Sequence, residues 1–178
     1  MSNPKPPRPV KPVVSVILTR KDLLPRVIGR LSRFFGPPDM VGPWWPVNVT
    51  DYYYREMGLP LGRVLASFLH LADPGQLAAW KVHTNQVEQD FSLGARRLVN
   101  LDPGYVAPER LVLATGKNYS HRVYLDHGIY GDLTLLFSQA RFQPLPWSYP
   151  DYAKGELPEL LAKVRSKYLR QLKELFRQ

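Results

Sequence analysis

The chain has 178 residues, no cysteine and a formal net charge of +9 at pH 7, with 44% hydrophobic and 22% charged residues. That is the length of one ordinary domain with enough apolar side chains for a core, and the composition excludes a disordered chain. The missing cysteine excludes disulfides, thiolate nucleophiles, iron–sulfur clusters and cysteine-bound zinc, and the lack of an apolar run of about 18 residues excludes a helical membrane span.

Five prolines between residues 4 and 12 predict an extended N-terminal tail over 1–12, with a single domain over 13–178. The tail has no apolar stretch like that of a signal peptide, so the expected location is cytoplasmic. Val13 to Leu18 is a short β-branched run and predicts a buried strand. Asp22 is placed to cap a helix with Pro25 in its first turn, and Gly36 with Pro37 and Pro38 to stop it. A strand followed by a helix opens a βαβ-type or ferredoxin-like arrangement. Strands are expected around Val47 to Val49 and over Leu61 to His70. Asp73-Pro74-Gly75-Gln76 starts a second helix, with Leu77, Trp80, Val87 and Phe91 facing the core. Arg96 to Leu101 predicts a strand, and Asp102-Pro103-Gly104 a turn. Leu111 to Thr115 is strand or helix. Arg122 to Leu125 and Ile129 to Phe137 form a hairpin around Asp126-His127-Gly128. Phe142 to Trp147 suits an edge strand, because its prolines exclude a central one. Leu157 to Phe176 repeats apolar residues at helical spacing. The fold class is therefore α+β: about three helices on a mixed or mainly antiparallel sheet.

Known phosphate-binding and hydrolase motifs are absent: no G-x-x-x-x-G-K-[ST], no G-x-G-x-x-G after the first strand, no G-x-S-x-G and no H-E-x-x-H. The four histidines show no metal-ligand spacing, so no metal site is expected.

Four polar or aromatic groupings remain. Lys117 to Arg122 is the densest: Lys117 and Arg122 can hold an anion and His121 can move a proton, or the stretch is a solvated turn. Around the expected turn, Arg97, Asn100, Asp102 and Tyr105 form a second group, in which Asp102 alone can be an Asx turn. Lys81, Thr84, Asn85 and Glu88 share one helix face, either a solvated side or the border of a pocket. Asp51 to Tyr54 and Trp147 to Tyr152 pair acids with aromatic rings, as core lids or as stacking platforms. The basic C-terminal helix can touch phosphate or simply be solvated.

Several strings together resemble a known family: Val49-Thr50-Asp51-Tyr52-Tyr53 with Glu56-Met57-Gly58, Lys81-x-x-Thr84-Asn85-x-x-Glu88, Val99-Asn100-Leu101-Asp102-Pro103-Gly104-Tyr105, Ser120-His121-Arg122-Val123-Tyr124-Leu125 and Trp147-Ser148-Tyr149-Pro150-Asp151-Tyr152. From about residue 11 to about residue 170 the chain is similar to the bacterial family DUF4416, with Ser148 where that pattern has Thr. The family has no established function, and its members often carry the label "GTP-binding protein". The label conflicts with the residues: the phosphate loop is missing, and Leu101-Asp102-Pro103-Gly104 spaces Asp and Gly too closely for a GTPase D-x-x-G.

The expected function is a pocket for a small anionic, phosphorylated or nucleotide-like ligand. Asp51, Tyr53, Arg97, Asn100, Lys117 and Arg122 would line it; were it catalytic, His121 would be the acid/base, with Asp102 or Asp51 orienting it. The cofactor is unknown, and no membrane partner is expected. The rivals are a nucleic-acid-binding module using the basic surface and an adaptor using the tail and aromatic loops to hold an unidentified protein.

Overall fold

The computed structural model describes residues 1–47, 56–94 and 96–177. In chain order its elements are β1 (Lys11–Leu18), α1 (Leu24–Phe35), β2 (Pro38–Val41), β3 (Trp45–Pro46), β4 (Gly62–Phe68), α2 (Leu77–Asp90), β5 (Ser92–Leu93), β6 (Arg96–Arg97), β7 (Val99–Val106), β8 (Arg110–Thr115), β9 (Arg122–Asp126), β10 (Ile129–Ser138), β11 (Arg141–Pro144), α3 (Pro150–Ala153) and α4 (Glu156–Leu175). One antiparallel sheet runs β11-β10-β8-β7-β1-β4-β2, with β3 added to β4 and β9 to β10, while β5 and β6 pair separately. The unit β1-α1-β2-β4-α2-β7, with spatial order β7-β1-β4-β2, is a ferredoxin-like βαββαβ arrangement. Strands β8 to β11 extend it beyond β7.

Strand alternation divides the core. Val14, Val16 and Leu18 of β1 pack with Val27, Leu31 and Phe35 of α1 and Trp80 and Val87 of α2 on one face. Val13 of β1, Leu65, Val106 and Leu111 pack with Leu157, Leu161, Val164, Tyr168 and Leu172 of α4 on the other. Covered on both sides, β1 reads as a continuous apolar run rather than an alternating one. Each of these α4 side chains contributes about 1.5–3 kcal/mol of burial as an upper estimate.

The tail is shorter than expected. Val10 bridges to Ala72, and β1 begins at Lys11, which is fully buried. Its Nζ donates to Asp39 Oδ2 at 2.6 Å and to Gln171 Oε1 at 2.8 Å. Proline content pointed to an exposed tail, but a buried charge with two good acceptors is tolerated. Asp22 does not cap α1; its carboxylate is taken by Arg20. Asp73 Oδ1 accepts from Gly75 N at 2.8 Å, capping a 3-10 turn that leads into α2. The hairpin at Asp126-His127-Gly128 forms as expected, with positive φ at His127 (51°) and Gly128 (73°). Leu111 to Thr115 is a strand, and the expected strand at Val47 to Val49 lies mostly outside the described residues. No helix among the described residues is long and apolar enough to cross a membrane.

Two tyrosines in the α4-side core make stability fall in alkali. Burial pushes both Tyr152 and Tyr168 up to about 12. A phenol whose folded value is raised adds stability that is complete below its unfolded value of 10.0 and lost as pH rises through the folded value. Urea midpoints are therefore expected to fall between pH 10 and 12, and the double variant Tyr152→Phe/Tyr168→Phe to flatten that limb. An equally steep fall in the double variant would assign it to other groups.

Candidate functional site

A cleft of about 370 Å³ opens where the sheet parts between β7 and β8. These strands share three rungs, Gly104↔Leu113, Tyr105↔Val112 and Val106↔Leu111. Beyond them β7 stays on β1 as far as Val99↔Leu18, while β8 stays on β10 as far as Thr115↔Tyr130. Asp102-Pro103-Gly104 is thus not the expected turn but lies inside a central strand. Local chemistry favours a turn, and a central proline costs a ladder bond; here the ladder has already ended.

Side chains from α2 replace the missing strand. Leu101 N donates to Glu88 Oε1 at 2.7 Å, and Leu101 O accepts from Lys81 Nζ at 2.6 Å. Alternate residues of a strand direct their N–H groups to the same side. Pro103 therefore has no donor on the side that β8 vacates. Glu88 and Lys81 satisfy the Leu101 backbone pair that water or a strand would otherwise have to meet. Gly104 fixes the vertex: a Cβ there would lie 2.4 Å from Val112 O and 3.2 Å from Leu113 Cα.

The cleft walls are Asn100 and Asp102 of β7, Ala114 and Thr115 of β8 with Gly116 and Lys117 beyond it, Arg122 of β9, Asp132 of β10, Lys81 and Asn85 of α2, Arg63 of β4, and Tyr149, Asp151 and Tyr152 at α3. Arg97 also lines it, with its guanidinium held by others. It donates to both Glu56 oxygens at 2.7 Å and to Glu88 Oε2 at 2.5 Å. Burial opposes its charge, but the Glu56 and Glu88 carboxylates outweigh burial and raise its pKa. Arg122 Nε donates to Asp132 Oδ2 at 2.9 Å, and its other nitrogens to Lys117 O and the Tyr149 hydroxyl.

Arg63 differs. Its side chain is 6% exposed, and Nη2 lies 3.0 Å from Asp151 Oδ2. Its Nε and Nη1 are buried with no hydrogen-bond partner among the described residues. Its Cζ sits 5.4 Å from the Tyr152 ring centroid. A guanidinium offers five N–H donors, and leaving buried ones unmet costs about 1–3 kcal/mol or more.

The expected residues divide as follows. Arg97, Asn100, Asp102, Lys117 and Arg122 meet at the cleft. Asp51 and Tyr53 lie outside the described residues. His121 is not on the lining. Its ring stacks on Trp147 at 4.9 Å, meets Tyr119 edge-on, and its Nε2 is 3.3 Å from Asp132 Oδ2. The carboxylate beside it is therefore Asp132 rather than Asp102, whose Oδ2 accepts from Asn100 Nδ2 at 2.8 Å. The Lys81–Glu88 stripe is buried rather than solvated, with Thr84 fully enclosed and Asn85 on the cleft. Arg63 and Asp132 were not expected, while Tyr149, Asp151 and Tyr152 bring the Trp147 to Tyr152 grouping to the cleft. The signal for Arg63 was alternation with Leu65 and Ser67, which puts it on the α4 face. On the C-terminal helix, Arg165 Nε donates to Pro108 O at 2.7 Å and Lys167 to the Asp39 carbonyl, so part of its charge is used in packing.

An antiparallel α+β domain with a ferredoxin-like core and a polar cleft cut through its sheet is the class that these features define. Residues 8–168 match the family model described as "Domain of unknown function (DUF4416)", and the chain belongs to that family. No curated protein and no solved structure matches it.

Proposed function

We propose that the cleft binds a small anionic ligand, a phosphorylated or nucleotide-sized compound, without a P-loop. The observation that carries this reading is Arg63: a buried guanidinium on the cleft wall, with two donor nitrogens that nothing among the described residues meets. Lys81, Lys117 and Arg122 share the same wall. Planar, forked donors recognise phosphate and carboxylate oxygens. Asp102, Asp151 and Asn100 offer acceptors for the hydroxyl or amino groups of a sugar or base. A volume of about 370 Å³ suits a metabolite and is at the small end of ligand pockets.

Thermal shift and calorimetry with inorganic phosphate and a panel of mononucleotides and sugar phosphates test the reading. A ligand at about 100 times its Kd stabilises the fold by about 2.7 kcal/mol. Saturable stabilisation is expected, lost in Arg63→Met, weakened in Arg63→Lys and unchanged in Arg26→Met, a residue of α1 that does not line the cleft. No stabilisation by any phosphorylated compound, or full stabilisation of Arg63→Met, would sink it. Nucleic-acid binding retains one favourable observation: Arg26, Arg30 and Arg33 are exposed along α1. Binding to RNA that weakens steeply with salt and survives Arg63→Met would favour that module instead.

A further inference from the structure

The sheet protects most of its outer strands. β2 begins at Pro38, shifts register between Pro38 and Met40, and has its Asp39 carbonyl capped by Lys167. β3 has two residues and ends at Pro46, and β11 has four and ends at Pro144. Short length, proline, irregular register and cover are the means by which proteins keep edges from pairing with other chains. β9 is less protected: its register on β10 shifts only near its C-terminal end, between Tyr124 and Asp126. Its five residues, Arg122-Val123-Tyr124-Leu125-Asp126, include neither proline nor lysine. Val123 is 69% exposed, Tyr124 56% and Leu125 41%, so the middle of the strand presents open apolar and aromatic surface. One edge of β9 pairs with β10, and the other pairs with no strand among the described residues.

We propose that β9 pairs antiparallel with β9 of a second copy of this chain, about a two-fold axis at Tyr124. The strand is complementary to its own reverse. In that register Tyr124 faces Tyr124, Val123 faces Leu125, and Arg122 faces Asp126 at both ends. Two-fold pairing requires such self-complementarity, since each contact occurs twice. Cross-strand apolar and opposite-charge pairs each contribute about 0.2–1 kcal/mol. A slip of one residue sets Asp126 against Val123, or Arg122 against Leu125, and loses both charge matches. Arg122 keeps its bonds to Asp132, the Lys117 carbonyl and the Tyr149 hydroxyl, so the incoming carboxylate meets its positive charge and not an unmet donor. Tyr124 is already packed edge-on to Tyr130 at 5.5 Å, which holds its ring ready on one face. The outcome is one sheet running through two copies, with a cleft on each side of the junction. Arg122 belongs to both the cleft wall and the junction, so the dimer is tested at Val123, Tyr124 and Leu125, which lie outside the cleft.

The lack of cysteine makes a clean test. Residues directly opposite in an antiparallel pair have Cα atoms about 4.5–5.5 Å apart, within disulfide reach. Full-length Tyr124→Cys is expected to form a disulfide-linked dimer under mild oxidation at least about tenfold faster than Leu93→Cys, a residue that is 69% exposed on β5. Sedimentation velocity is expected to show a concentration-dependent dimer for the unaltered chain. Val123→Lys/Leu125→Lys, which opposes lysine to lysine at exposed positions, is expected to be monomeric with unchanged far-UV circular dichroism. A monomer at the highest soluble concentration, a dimer that persists in the double lysine variant, or cross-linking no faster at Tyr124→Cys than at Leu93→Cys would each overturn the proposal.

Discussion

Glu88→Ala is expected to destabilise the fold by about 3–5 kcal/mol, a large share of the stability of a domain this size. Glu88 is 4% exposed and does three things at once. It accepts from Leu101 N, it receives Arg97 Nη1 at 2.5 Å, and its Oε1 lies 3.5 Å from Lys81 Nζ. Alanine leaves a buried N–H with no acceptor and two cations short of a counter-charge. Arg97 still has Glu56, and Lys81 still has Leu101 O with Asp102 3.7 Å away, so the loss is not total. Glu88→Gln keeps an acceptor but not the charge, and a smaller cost of roughly 1–3 kcal/mol follows. Guanidinium unfolding measures both. A cost for Glu88→Ala below about 1 kcal/mol would mean that the helix does not stand in for the absent strand.

The second large effect is at the vertex of the split. Gly104→Ala places a methyl 2.4 Å from the Val112 carbonyl oxygen and 2.6 Å from Leu113 Cδ2. The side chain can rotate away, but the backbone oxygen cannot move without breaking a rung. An expected cost of about 3 kcal/mol is at the upper end for overpacking. Gly104→Ala is further expected to lose amide-exchange protection at Tyr105 and Leu111 to Leu113, where the two halves of the sheet join, and not at β1 or β4. Wild-type protection at those amides in the alanine variant would show that the strands are not in such close approach.

Local sequence carried whatever local chemistry decides. The β9–β10 hairpin followed from Asp126-His127-Gly128, because its positive φ angles need that composition. The α4 helix follows from its apolar spacing, and the polar character of Arg97, Asn100, Asp102, Lys117 and Arg122, which meet at the cleft, marks them as ligand-binding candidates in the sequence itself. What could not be read was whatever depends on distant neighbours. Asp102-Pro103-Gly104 has the composition of a turn and becomes a strand because β1 pairs with it from over eighty residues upstream. The Lys81–Glu88 stripe has the charge pattern of a solvated helix side, and only the gap beside Leu101 draws it inward. Alternation sets Arg63 on the face of Leu65, but neither it nor Asp132 shows from its strand run alone that the charge meets a cavity. His121 lay in the most polar stretch of the chain, yet its ring went to Trp147 instead of the cleft.

Lys11 ties the first strand to the last helix. Its ammonium, fully enclosed in the first strand, reaches Gln171 in the last helix, and the Tyr168 hydroxyl donates to Pro9 O at 2.8 Å. During synthesis the ribosome releases β1 well before those partners exist. Until α4 emerges, one whole side of the nascent sheet stays wet and a lysine waits beside an apolar strand. Closure across nearly the full chain is entropically slow. Chains stalled before residue 168 are thus the form in which chaperone dependence and aggregation should concentrate.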